Sequence, residues 1–418
     1  METNLADWIR DTPEGIEANS ILRKCVHCGF CLATCPTYGL LGDELDSPRG
    51  RIYLMKQMLE GAPVTERTQL HLDRCLTCRA CETTCPSGVQ YGRLVDIGRE
   101  VVDRKVGRPP WERLKRSLMR SFLLSPTLFG GALALGRAMR GMLPASLANR
   151  IPERHGEATW PSAQRTRRMV ALRGCVQASI APSINAATAR VLDRLGIQLV
   201  EATEAGCCGA LSQHLDAHEA ALDAARRNVD AWWPLVEAGA EAIVITASGC
   251  GTMVADYGHL LRNDPAYAER AARISSMAKD VSEVVAAEKS ALANAFAGRK
   301  QRGESLAFHS PCSLQHGLKV RGVVESILRD AGFTLTAVPD GHLCCGSAGT
   351  YSILQPELSG RLKANKVAAL ESGGPEIIAT ANIGCLTHLQ SGTRRPVRHW
   401  IEVLDARLGQ RAVVAADT

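Results

Sequence analysis

The pattern C-x-x-C-x-x-C-x-x-x-C-P constrains this chain more than any other feature. It is written as CVHCGFCLATCP from Cys25 to Pro36 and again as CLTCRACETTCP from Cys75 to Pro86. Three thiols at successive x-x spacings wrap one loop around three irons of a cubane, while the fourth, turned away before the proline, reaches a second cubane. The two motifs must therefore fold against each other. This spacing assigns Cys25, Cys28, Cys31 and Cys85 to one [4Fe-4S] cluster, and Cys75, Cys78, Cys81 and Cys35 to the other. A pair of four-cysteine zinc knuckles also uses C-x-x-C pairs, but zinc explains neither the third cysteine nor the C-P. His27, inside the first motif, reads either as a tuning neighbour of its cluster or as a plain surface histidine. Between the motifs, SPRGRIYLMKQMLEG predicts a helix capped by Ser47, with Pro48 at its first position and Gly61 at its end.

The remaining eight of the 16 cysteines fall into an internal duplication. Cys175, the pair Cys207 and Cys208, and Cys250 recur as Cys312, the pair Cys344 and Cys345, and Cys385, at a period of about 137 residues. Each copy reads as an apolar strand ending at a Cys (MVALRGC; SLAFHSPC), then a helix (SINAATARVLDRLG; LKVRGVVESILRDAG). A β segment (IQLVEA; FTLTAV), the tripeptide CCG, a long helix and a strand (AIVIT; EIIAT) leading to the last Cys follow. Alternating strands and helices predict two α/β units with mainly parallel sheets and thiols at the strand ends. Adjacent cysteines strain a mutual disulfide. Two neighbouring thiolates can instead donate to one metal centre, with Gly209 or Gly346 permitting a positive-φ turn. The tetrads Cys175, Cys207, Cys208, Cys250 and Cys312, Cys344, Cys345, Cys385 thus read as sites for an Fe-S cluster or zinc; small buried hydrophobes are the plain alternative.

The double motif followed by two CCG units resembles a superfamily that includes the cysteine-rich subunit of heterodisulfide reductase, the third subunit of anaerobic glycerol-3-phosphate dehydrogenase, and the iron-sulfur subunits of lactate and glycolate oxidation complexes. The resemblance is strongest to the glycolate oxidase iron-sulfur subunits. It is carried by RGCVQ (from Arg173), SINAATARVLDRLGI (from Ser183), SGCGTMVADYGHLL (from Ser248), SPCSLQHGLK (from Ser310), CCGSAGTYSILQPEL (from Cys344) and ATANIGCLTHLQ (from Ala379). The resemblance implies an electron-transfer subunit whose flavin-containing partner oxidises glycolate to glyoxylate and whose acceptor is a quinone or another carrier. A lactate or glycerol-3-phosphate dehydrogenase subunit is the nearest rival, and a structural zinc-binding assembly subunit is the rival of another class. One departure matters: heterodisulfide-type units end in C-x-x-C, whereas here the ends are CGTM, with Met253, and CLTH, with His388. Each unit has lost one of the five thiols that support the noncubane cluster in that relative. An ordinary four-thiolate cluster, zinc or a metal-free thiol pair all stay open, and His309 or His388 can enlarge the second site.

The expected fold class is α+β and α/β: a helical ferredoxin-type two-cluster domain over 1–100, a basic helical connector over 101–170 wrapped on its neighbours, and CCG units over 171–300 and 301–418. No G-x-G-x-x-G turn is present to hold a flavin dinucleotide, so no catalytic residue is assigned. From Arg104 to Arg173 there are 15 Lys and Arg against Glu112, Glu153 and Glu157, a local net of +12 in a chain of net +6. Beside it lies SFLLSPTLFGGALALG, 16 residues from Ser121, short of the roughly 20 needed to span a bilayer. A cytoplasmic chain is expected, and the basic segment reads as a peripheral contact with the inner face of the membrane and its quinone, as a contact with an acidic partner, or, with at least equal weight, as a plain solvated surface. The sparse aromatic residues offer no platform for nucleic acid there.

Overall fold

Among the described residues, eight short strands build two parallel sheets: β1 (Arg167–Ala171), β2 (Ile197–Glu201), β3 (Ile243–Ile245) and β4 (Ala278–Asp280), then β5 (Ser305–His309), β6 (Thr334–Leu335), β7 (Ile377–Thr380) and β8 (Val397–His399). The computed structural model describes residues 1–142, 144, 151–152, 158–297 and 303–409. The expected boundary at 300/301, and Glu153 and Glu157 of the basic segment, lie outside the described residues. The strand orders β2-β1-β3-β4 and β6-β5-β7-β8 are the same topology twice, every pairing parallel. The β3 triplet is closed to solvent along its whole length. This accounts for its continuous apolar sequence rather than an alternating one.

Each sheet has a fourth strand that the sequence reading did not foresee, and β6 shrinks from the expected FTLTAV to two residues. The helix expected over LKVRGVVESILRDAG starts only at Val323: Gly322 before it has φ +72°, and a π-turn over Ser313–Gly317 occupies the preceding stretch. Its buried face is Val324, Ile327 and Leu328.

The two units exchange helices. Ser183–Arg194 of the first unit packs on Trp400–Gly409 of the second, and Val323–Asp330 of the second packs on Val281–Ala287 of the first. Asp405 receives both Arg190 and Arg194 at 2.7 Å, and His399 Nε2 lies 2.8 Å from the carbonyl of Thr246. One apolar core, with Val191, Leu192, Leu328 and Trp400 among its most buried members, runs through both units.

The N-terminal region is helical. Pro48–Leu59 forms as the sequence indicates: Ser47 Oγ accepts the Gly50 N–H at 2.9 Å, and Gly61 beyond the helix has φ +97°. The region sits across both units. Asp256 of the first accepts from Arg79 and Arg93 at 3.2 and 2.9 Å, while Tyr351 of the second donates to the carbonyl of Arg74 at 3.1 Å. The helix Tyr91–Val106 and strand β1 each run across an expected domain boundary. The connector is helical, over Pro110–Leu124 and Pro126–Ala138, and rests on its neighbours through a few contacts: Arg116 reaches Asp216, Arg137 donates to the carbonyl of Ile180, and Leu133 joins the shared core. The first helix buries no residue and the second only Leu133, because its apolar residues face outward.

Candidate metal centres

The two C-x-x-C-x-x-C loops share left-handed backbone at two matched positions. His27 and Thr77, matched positions, have φ +55° and +50°, and Gly29 and Arg79, again matched, have +84° and +58°. Left-handed residues at these points turn successive thiols inward. Arg79 has no glycine's freedom in this region; its ion pair to Asp256 ties it down.

Cys25, Cys28, Cys31 and Cys85 line one cavity, together with His27, Pro48 and Tyr91. Cys35, Cys75, Cys78 and Cys81 line a second, with Arg51; Pro48, Tyr91 and Cys81 line both. Each cavity thus draws three thiols from one motif and the fourth from the other. His27 faces Tyr53 edge-on, and its Nε2 lies 3.1 Å from the sulfur of Met1. Polar groups reach the thiols: Tyr91 Oη donates to Cys75 Sγ at 3.6 Å, Thr77 N–H to the same sulfur at 3.4 Å, and Cys35 Sγ lies 3.3 Å from Thr37 Oγ1.

The cavities differ in exposure. Cys28 is open to solvent between the exposed Val26 and Phe30. The thiols of the second are better covered, Cys35, Cys75 and Cys81 being buried, and Cys78 lies with Cys312 against Leu76, Cys344 and Tyr351. Burial pushes the Cys31 thiol up to about 11. Burial, and then the neighbouring Cys312, pushes Cys78 well above the ordinary thiol range.

In each α/β unit the thiols stand beyond the strand ends, where crossover loops converge. The CCG glycines take the expected left-handed backbone, Gly209 at φ +94° and Gly346 at +87°. The N–H of Gly209 donates to Cys207 Sγ and that of Gly346 to Cys344 Sγ, both at 3.4 Å. The first tetrad is knit together by contact: hydrogen bonds from Cys175 and then Cys208 pull Cys207 well below the ordinary thiol range, while Cys175 and Cys208 are pushed up. In the second, Cys312 and Cys344 Sγ are 3.8 Å apart; Cys312 is raised by its hydrogen bond to Cys344 and by burial, while Cys344 and Cys345 are each pulled down by one neighbouring thiol but raised on balance by the next thiol, Cys345 and Cys385 respectively, and by burial. Crowded buried thiols cannot all ionise without a cation among them. The donor sets therefore suit a metal centre.

Two cations escaped sequence reasoning. Arg227 lies against Gly206, the residue before Cys207, and its charge favours the Cys207 thiolate. Lys366, only 3% exposed, donates to the carbonyl of Asp340 at 2.8 Å beside Cys344 and Cys345. Each stands on the long helix after its CCG among other basic residues, Arg226 in the first and Arg361 and Lys363 in the second, so the sequence did not single it out.

His309 and His388 both reach the second tetrad. His388 Nε2 lies 3.3 Å from Ser359 Oγ, and a ring nitrogen of His309 lies within 4.8 Å of both Cys345 and Cys385 Sγ. Burial holds both imidazoles neutral, His309 down to about 3 and His388 to about 4. In the first unit, Met253 is buried beside Gly209 instead.

A family model described as a 4Fe-4S dicluster domain matches residues 21–89, and one described as a cysteine-rich domain matches residues 169–255 and 306–390. The chain is 54% identical to the glycolate oxidase iron-sulfur subunit of Escherichia coli strain K12, over 98% of this chain and 99% of that one. It is 31% identical to the probable glycolate oxidase iron-sulfur subunit of Bacillus subtilis strain 168, over 90% and 89%. Lactate utilization protein A of an Exiguobacterium strain matches at 26% identity over 56% of this chain and 96% of its own length.

Proposed function

This chain belongs to the family of glycolate oxidase iron-sulfur subunits, and on that premise we propose that it carries electrons from a flavin-containing subunit, which oxidises glycolate to glyoxylate, towards a quinone or another acceptor. The proposal assigns one [4Fe-4S] cluster to Cys25, Cys28, Cys31 and Cys85 and a second to Cys75, Cys78, Cys81 and Cys35. It assigns further metal centres to the two tetrads. Such a cluster, when bound, takes up and releases single electrons, which divides the pair a flavin delivers.

The observation that carries the reading is a sequence of thiol sites from surface to interior. Cys28, flanked by exposed Val26 and Phe30, gives a partner subunit access to the first cavity. Pro48 and Tyr91 line both it and the second, and Cys78 brings the second against Cys312 and Cys344. The second α/β unit is therefore the next station after the ferredoxin-type region. Tyr91, Thr77 and Thr37 supply hydrogen bonds at the sulfurs, one of the levers that set a potential. The near-complete coverage by glycolate oxidase subunits, against 56% by the lactate relative, favours glycolate as the substrate of the complex.

No single helix among the described residues is long and apolar enough to cross a membrane; Pro110–Leu124 and Pro126–Ala138 meet at 82°. Trp111, Leu114, Leu118 and Phe122 form one exposed apolar stripe on the first of these helices, beside Arg113 and Lys115. This supports peripheral contact with an anionic membrane surface. The test of the whole reading is glycolate-dependent dye reduction by membranes from a deletion strain, with and without the gene restored. Loss on deletion and recovery on restoration support it; activity that survives deletion overturns it.

A further inference from the structure

The two tetrads are duplicates in sequence, yet their surroundings differ at one decisive place. Three residues before the first thiol of each unit, where β1 and β5 end, stands Leu172 in one copy and His309 in the other. Leu172 is apolar and buried. His309 is 2% exposed. Its partner across the β5–β7 ladder is Thr380, whose Oγ1 lies 2.9 Å from His309 Nδ1. That contact fixes the ring and leaves Nε2, which is sealed from solvent and has no hydrogen-bond partner. A buried imidazole nitrogen without a partner carries an uncompensated desolvation cost unless something binds it. The groups near at hand are the sulfurs of Cys345 and Cys385.

We propose that His309 Nε2 is a nitrogen donor to an iron-sulfur centre held by Cys312, Cys344, Cys345 and Cys385, so that the two duplicated units hold unlike centres. The inference rests on the reading that this tetrad binds iron. Four thiolates and one imidazole are one donor more than a tetrahedral zinc ion takes, and soft sulfur with borderline nitrogen suits iron. Nδ1–H donating to Thr380 is the outer-shell bond that orients a ligating histidine. His388 is not the donor, because Ser359 engages its Nε2 and itself donates to the carbonyl of Gly346 at 2.8 Å. The first unit has Leu172 and Met253 at the matched places and offers no imidazole.

The test uses the full chain purified anaerobically with 57Fe, carrying Cys207→Ser and Cys208→Ser so that the second tetrad alone adds to the N-terminal centres. Iron content, Mössbauer spectra and pulsed EPR are compared for His309, His309→Leu, His309→Cys and His388→Ala. Leucine is the residue already present at the matched place, so His309→Leu tests the donor with little threat to the fold. The proposal expects iron beyond the N-terminal complement and a directly bonded 14N coupling. The coupling should vanish in His309→Leu and His309→Cys and persist in His388→Ala, and the Mössbauer pattern, which also records diamagnetic centres, should change in the same two variants. Extra iron with spectra indifferent to His309 overturns the nitrogen ligand and leaves the iron reading standing. No extra iron, or zinc in its place, overturns both.

Discussion

Arg51 and Asp46 form an ion pair of 3.1 Å with both side chains closed to solvent, and Arg51 lines the second N-terminal cavity. Asp46 also takes Arg74 at 2.9 Å, and His71 Nδ1 lies 3.1 Å from it. Arg51 in turn donates to the carbonyl of His71 and to Thr37 Oγ1, which lies beside Cys35. Removing one partner from such a network leaves buried charge without compensation. Asp46→Ala is therefore expected to destabilise the N-terminal region by about 3–5 kcal/mol, read from urea denaturation. A loss below about 1 kcal/mol, the scale of an exposed ion pair, contradicts this role.

Two glycines of one unit should respond in opposite directions to alanine. At Gly346, with φ +87°, a Cβ would lie 2.8 Å from the carbonyl oxygen of Ser359. Gly360, inside the helix Pro356–Glu371, has nothing within 4 Å. Gly346→Ala is expected to cost about 1–3 kcal/mol or more through strained backbone, and Gly360→Ala to stabilise by about 0.5–1 kcal/mol. Parallel thermal melts check the pair, and equal shifts contradict the account.

Much of this was legible in the sequence, for identifiable reasons. The 137-residue period and the long apolar runs revealed the duplicated parallel sheets, and the spacing of Cys25 to Cys35 and Cys75 to Cys85 shows which thiols gather around which cavity. The edge strands β4 (AKD) and β8 (VRH) were not legible: three residues with charged members carry no strand signal, and parallel pairing to β3 and β7 alone creates them. The contact of Cys78 with Cys312, 234 positions apart, depends on how the N-terminal region seats on both units. The difference between Leu172 and His309 was visible, but its meaning required the unpartnered nitrogen.

Asp280 caps the helix Val281–Ala287 by accepting the Ser282 N–H at 2.9 Å, while its second carboxylate oxygen is buried without a partner. Burial pushes its carboxyl up from 3.8 to about 6. Between those values the folded chain holds a proton that the unfolded chain has released, so stability falls as pH rises through this window and stays lower above it. Asp280→Asn keeps the capping acceptor without the charge. It is expected to gain about 1–3 kcal/mol at pH 7 and nothing below about pH 4, as measured by denaturation at both pH values; a gain equal at both contradicts the assignment.

The exposed stripe of Pro110–Leu124 gives a prediction that leaves the fold untouched. Leu114 and Leu118 are 49% and 59% exposed. Replacing both by Asp removes about 1.5–3 kcal/mol of apolar burial each at a membrane. Sedimentation with anionic vesicles should therefore weaken by about 100-fold or more, with an unchanged melting temperature. Undiminished binding contradicts a membrane role for this helix.

The central claim is that the N-terminal thiols hold a two-cluster relay, and iron analysis with EPR on anaerobically purified protein tests it most directly. With all eight cysteines of the CCG units replaced by serine, the account predicts about eight irons per chain and two reducible, mutually interacting [4Fe-4S] signals. It also predicts that Cys78→Ala perturbs the buried cluster and spares the one at Cys28. Zinc without iron, or a single cluster lost whole with either motif, contradicts it.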